Sequence, residues 1–204
     1  MKIIITESQY NRILREEEEQ KVLHIPSLKF FNDDWDLLQK FLESKGNPPY
    51  SIGGDLVLFD SPIKSLGKLK SVDGNLDLQG SSIESLGDLT SVGGWLDLRD
   101  TPIESLGNLI SVGGRLSLRR TPIKSLGNLT SVGGGLDLKG TPIKSLGNLT
   151  TVGGSLNLYD TPIKSLGNLE SVGSDLDLGG TPLLRKYTEE EIHQMVDVRG
   201  YVLL

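Results

Sequence analysis

Residues 101–160 read TPIESLGNLISVGGRLSLRR, TPIKSLGNLTSVGGGLDLKG and TPIKSLGNLTTVGGSLNLYD, three blocks that follow one another without a gap. Self-similarity at a fixed period of twenty residues marks a repeat array, in which each unit buries its apolar face on its neighbours. Outward from this stretch, Leu-x-Leu pairs fall at Leu56/Leu58, Leu76/Leu78, Leu96/Leu98, Leu116/Leu118, Leu136/Leu138, Leu156/Leu158 and Leu176/Leu178 with no insertion. Seven coils are explicit, and the array occupies residues 51–182.

Within one block the apolar positions are Leu156, Leu158, Ile163, Leu166, Leu169 and Val172, and neither a helical nor a strand period fits all six. A closed coil does. Leu156 and Leu158 alternate as a short strand, Gly153-Gly154 permits the turn into it, and Thr161-Pro162 turns the chain out. Six aliphatic side chains cannot offset the conformational entropy of twenty ordered residues, so the coils must stack. Stacking about 4.8 Å apart adds parallel-strand hydrogen bonds and buries the face of each apolar layer. The expectation is a repeat solenoid with one parallel β-sheet, irregular outer segments and an α-helical cap at each end.

The flanks differ in character. Residues 1–20 carry a capping-box pattern from Thr6 to Gln9 ahead of Tyr10, Ile13 and Leu14, then the acidic run Glu16 to Glu19, a strand or helix segment that docks or projects. Residues 21–50 form the helical N-terminal cap, with a helix from Asn32 or Asp33 through Ser44 built on Trp35, Leu37, Leu38, Phe41 and Leu42. Residues 183–204 form the C-terminal cap. There Thr188 and Glu191 make a capping box for a helix through Met195, and Val196-Asp197-Val198-Arg199-Gly200 takes the place of an eighth Leu-Asp-Leu strand.

The string L-D-L-x-x-T-P-I-K-S-L-G-N-L resembles the leucine-rich repeat L-x-L-x-x-N-x-L-x-x-L in its short bacterial form, over about three quarters of the chain. The resemblance implies a binding scaffold that displays variable residues on its inner sheet face. Two departures are consistent. The family's buried asparagine is replaced by Ser61, Ser81, Thr101, Thr121, Thr141, Thr161 and Thr181, expected to form a hydroxyl ladder, and its paired prolines by Leu-Gly-Asn-Leu. Met1 to Leu14 is similar to the leaders of tailed-phage proteins.

Composition excludes several classes. Among 204 residues there are 25 glycines, 9 prolines and no cysteine, which suits tight turns and removes disulfides, thiolate metal sites and cysteine nucleophiles. A net charge of −6 argues against general binding to nucleic acid or an anionic membrane. No stretch approaches a membrane span and Ile3-Ile4-Ile5 is too short for a signal-peptide core, so a cytoplasmic or particle-associated protein is expected. The two histidines, His24 and His193, lie in opposite caps, which leaves no general-base pair for an enzyme. Single aspartates per coil do not match the nine-residue spacing of calcium-binding coils, so no metal or cofactor is expected.

With the strand leucines facing in, three exposed columns vary from coil to coil. They hold Trp95, Arg115 and Ser155 in the first, Asp77, Asp97, Ser117, Asp137 and Asn157 in the second, and Phe59, Arg99, Arg119, Lys139 and Tyr159 in the third. Arg99, Arg115, Arg119, Arg120 and Lys139 gather on adjacent coils beside Trp95, where Ser117 interrupts the aspartates. One reading is a docking patch for an acidic or phosphorylated protein partner, with Trp95 and Tyr159 as aromatic contacts. The other is charge balance by Asp97 and Asp137. The expected function is therefore non-catalytic recognition of a macromolecule, with a structural, self-associating component of a particle as the alternative.

Overall fold

The Ser-Val dipeptide of each coil, Thr-Val at Thr151–Val152, forms a second sheet that the single-sheet expectation lacks. In the computed structural model, which describes residues 22–204, the chain is a β-solenoid with two parallel sheets. One has eight strands, from Leu56–Val57 through the successive Leu-x pairs to Val202–Leu203. The other has nine, from Leu23–Ile25 and Tyr50–Ile52 through the Ser-Val pairs to Asp197–Val198. Within the array both advance by one coil, as in Ser111↔Ser131 and Leu116↔Leu136. Each two-residue Ser-Val strand turns its β-branched valine into the core and its serine outward, which places Val92 to Val172 beside the strand leucines. Two residues are too few to show a period, and the valine reads in sequence as one more apolar point on an irregular segment.

Between the two strands the chain turns a corner at the Gly-Gly pair. These glycines do not adopt left-handed backbone angles; their role is to admit the next coil. A Cβ on Gly153 would overlap the carbonyl oxygen of Gly133, and one on Gly133 would overlap that of Gly113. The expected reason for glycine here, freedom to turn, is replaced by close approach of stacked backbones. Left-handed geometry falls instead at two other columns, Gly67 to Gly167 of the Leu-Gly turn and the residue just before each Ser or Thr turn, where Asp60, Asp100, Arg120 and Asp160 share the position with Gly80, Gly140 and Gly180; Arg120 has φ of 57°.

The threonines are buried as expected, but they do not form a ladder from coil to coil. Oγ1 of Thr101, Thr121 and Thr141 donates to the carbonyl three residues earlier in its own coil at 2.7 Å, closing the turn out of the strand. Serines 65 to 165 also act locally, each accepting from the glycine amide two residues on, as Ser125 does from Gly127 at 3.0 Å. Lys64–Glu84 and Lys124–Glu104 pair across neighbouring coils on the exposed rim, where such pairs add little.

Two short helices flank the repeats. Helix α1, Trp35–Ser44, is capped by Asp34, whose carboxylate accepts from the Leu37 amide at 3.0 Å, and buries Leu38 and Leu42. It starts after the expected Asn32 or Asp33 because both hold left-handed angles at the end of a 3-10 turn, Leu28–Phe31. Helix α2, Glu189–Met195, carries the expected Thr188/Glu191 capping box and buries Ile192. Its insertion lengthens the last coil from twenty residues to twenty-six, so Val172 pairs with Val198 and Leu176 with Val202. The eighth strand of the Leu-Asp sheet is therefore Val202–Leu203, while Asp197–Val198 belongs to the Ser-Val sheet, correcting the expected placement. The capping-box pattern at Thr6–Gln9 lies outside the described residues. No helix among the described residues is long and apolar enough to cross a membrane.

Candidate functional site

The exposed face of the Leu-Asp sheet carries a groove of about 700 Å³ on the coils of Trp95 and Arg115. Strand alternation sends Leu96 and Leu116 into the core and turns the residues beside them outward, so the groove walls come from the variable columns. Trp95 and Arg115 stand on one flank, Arg99 and Arg119 on the other, and Asp97 and Ser117 between them. Trp95 is 39% exposed, a large ring left at the surface beside polar groups.

The structure brings four of the seven expected site residues to this groove and separates the other three. Arg120 sits beyond the strand and pairs with Asp100, its Nη2 2.7 Å from Oδ2. Lys139 lies with its Nζ 4.5 Å from the centre of the Tyr159 ring, one to two coils away. The groove cations are also paired. The Arg99 guanidinium donates to Asp97, with Nη2–Oδ2 at 2.6 Å, and to Gln79 at 2.7 Å. Arg115 Nη2 and Arg119 Nε converge on one oxygen, Oδ2 of Asp137, at 3.0 and 2.9 Å. Charge balance thus operates across the face, and the patch is not a free basic surface.

The hydrogen bond to Asp97 raises Arg99 above its ordinary value, and the hydrogen bond from Arg120 holds Asp100 below the usual carboxylate range. At the far end His24 Nδ1 lies 3.1 Å from Ser51 Oγ. Among the described residues no three His, Cys, Asp or Glu side chains converge as a metal would require.

No family model matches this chain, and no curated protein or solved structure matches it. The leucine-rich-repeat resemblance accordingly rests on the repeat pattern alone, and the second sheet departs from it.

The structure adds detail at two residues that the sequence already singles out, Asp137 and Ser117. Asp137 is only 4% exposed and serves as the shared anchor of two arginines. Ser117 is 6% exposed and its hydroxyl has no partner. The signal for Ser117 is visible in the sequence as the break in the aspartate column, whereas its lack of a partner depends on side-chain placement.

Proposed function

We propose that this chain is a non-catalytic recognition module that binds a protein partner on the exposed face of the Leu-Asp sheet. The observation that carries this reading is the groove in which Trp95 stands exposed among Arg99, Arg115 and Arg119 on a near-constant frame. Tryptophan and arginine dominate binding energy at protein interfaces, and here both are held on short strands that lose little freedom on binding. In this reading helices α1 and α2 serve as end caps, covering the first and last apolar layers through Leu38, Leu42 and Ile192. The leucine-rich-repeat likeness supports the same face as the site of binding.

Selection of displayed peptides on the immobilised chain tests the proposal. Peptides enriched on the native chain are expected to lose at least tenfold in affinity toward a Trp95→Ala/Arg119→Ala variant of unchanged thermal stability. Enriched peptides indifferent to that variant, or a selection that enriches none, would overturn it.

A second reading, end-to-end self-association, draws on a separate observation. The Leu-Asp sheet ends at Leu56–Val57 and Val202–Leu203, and the exposed Val57, Phe59, Leu203 and Leu204 gather at those two ends. Head-to-tail contact would join unlike ends and build open filaments. Light scattering over a dilution series separates this reading from the first: mass that stays at one chain at all concentrations counts against it.

A further inference from the structure

The second column of the Leu-Asp face repeats one local device. Oδ1 of Asp77, Asp97, Asp137, Asn157 and Asp177 accepts from the backbone amide two residues further on, at 2.9–3.3 Å. The coil of residues 101–120 breaks the series. Ser117 stands in the column there, and its buried Oγ has no hydrogen-bond partner, so the turn bond to the Arg119 amide is not made. A buried polar group is ordinarily paired, and here the amide and the hydroxyl that should meet do not.

The break lines the same groove as Arg99, Arg115 and Arg119, with the Arg99 guanidinium turned to Asp97 and Gln79 on one side and those of Arg115 and Arg119 to Asp137 on the other. Two of these share a single oxygen of Asp137, so each retains N–H groups for another acceptor. We propose that this break is a subsite for one carboxylate, an aspartate or glutamate side chain of the protein partner. That carboxylate accepts hydrogen bonds from the Ser117 hydroxyl and the Arg119 amide and shares the flanking guanidinium groups. The proposal rests on the recognition reading above and names the chemistry of its central contact.

A carboxylate suits the position better than a phosphoryl group. Asp77 and Asp97 already stack in this column at the strand spacing of about 4.8 Å, so the frame accommodates singly charged planar groups at that interval. Asp97 and Asp137 flank the break on both sides and meet a dianion with twice the repulsion. Planar, two-pronged pairing with arginine is likewise the geometry of a carboxylate.

The substitution Ser117→Asp supplies the carboxylate from the chain itself and restores the turn bond. The first measurement is a titration of the isotopically labelled full chain with sodium acetate, against sodium chloride at equal ionic strength, following the Arg119 amide by NMR. A saturable shift is expected in the native chain, absent in Ser117→Asp and reduced severalfold in Ser117→Ala, with chloride inert. No site-specific shift, or an equal shift in Ser117→Asp, overturns the subsite; a larger saturable shift with inorganic phosphate overturns the choice of carboxylate. The second measurement uses the selected peptides, which are expected to carry an acidic residue whose amide replacement weakens binding tenfold or more. They are also expected to bind Ser117→Asp at least tenfold more weakly. Peptides that need Trp95 and Arg119 yet bind Ser117→Asp as well as the native chain overturn the subsite and leave recognition on this face standing. Peptides indifferent to all three positions overturn both.

Discussion

Arg119 Nε lies 2.9 Å from Oδ2 of Asp137, joining a half-exposed cation to a carboxylate that is only 4% exposed. The same side chain closes the turn of its own coil, with Oδ1 accepting from the Lys139 amide at 3.3 Å. Asp137→Ala removes both interactions and should cost about 1–3 kcal/mol in urea denaturation. Asp137→Asn keeps the turn bond, as Asn157 does for Tyr159, and should cost less than about 1 kcal/mol, the scale of a partly exposed ion pair. Equal losses for the two substitutions would place the stabilisation in the charge rather than the turn.

Glycines at two positions should respond differently to alanine. In Gly133→Ala the new methyl overlaps backbone of the preceding coil, so neither sheet can keep its spacing, and a loss of about 3 kcal/mol or more is expected. Gly147 holds a left-handed angle of 60° and a methyl there would meet only the Gly127 carbonyl oxygen, at an ordinary contact distance of 3.9 Å, so Gly147→Ala should cost about 1–2 kcal/mol from backbone strain alone. Comparison of urea midpoints checks the order.

Thr141 and Thr181 occupy equivalent positions with unequal bonding. Thr141 Oγ1 donates to Leu138 O at 2.7 Å, whereas Thr181 Oγ1 is buried without a partner. Thr141→Val should therefore destabilise by about 1–2 kcal/mol, while Thr181→Val should be neutral or stabilising in thermal melts. Destabilisation of the same size at both sites would show that the intracoil bond contributes nothing.

The Asp100–Arg120 pair sets a pH dependence. Hydrogen bonding from Arg120 lowers the folded-state pKa of Asp100 below its ordinary 3.8, so the folded chain binds this proton less readily than the unfolded chain. Stability from this pair is then fully present above pH 3.8 and is lost as pH falls through the lower folded value. Both groups are exposed, and added salt should weaken the effect. An NMR titration of the Asp100 carboxyl should find its midpoint below 3.8 in the native chain and close to that value in Arg120→Gly. That variant should also fold at least as well, since glycine fits the left-handed angle that Arg120 holds at φ 57°.

The twenty-residue period carried most of the architecture, because an uninterrupted repeat places Leu56 to Leu178 on one seam whatever the local geometry. The Ser-Val sheet was not legible for a physical reason: a two-residue strand is defined by hydrogen bonds to its neighbours, and Ser111-Val112 has no pattern of its own to reveal them. The last coil misled because Val196-Asp197-Val198 imitates Leu-Asp-Leu, while the six extra residues that accommodate α2 move the true counterpart of Leu176 to Val202. At the groove, the exact columns followed from period and alternation, which is why Trp95, Arg99, Arg115 and Arg119 were found together. Arg120 was not, since its left-handed turn carries it off the strand line. Which carboxylate each arginine chooses depends on rotamers that no spacing encodes.

The Gly-Gly corner has a consequence for how such a chain can change over generations. From Gly113 to Gly154 the contact at the corner involves backbone alone, so a coil bearing this corner accepts any other coil that bears it in the same form. Whole units can then be duplicated, lost or exchanged without remodelling their neighbours, while a gain or loss of one residue throws both strand rows out of step. The stack behaves as a row of interchangeable cassettes, and the face written on them can be re-edited one cassette at a time.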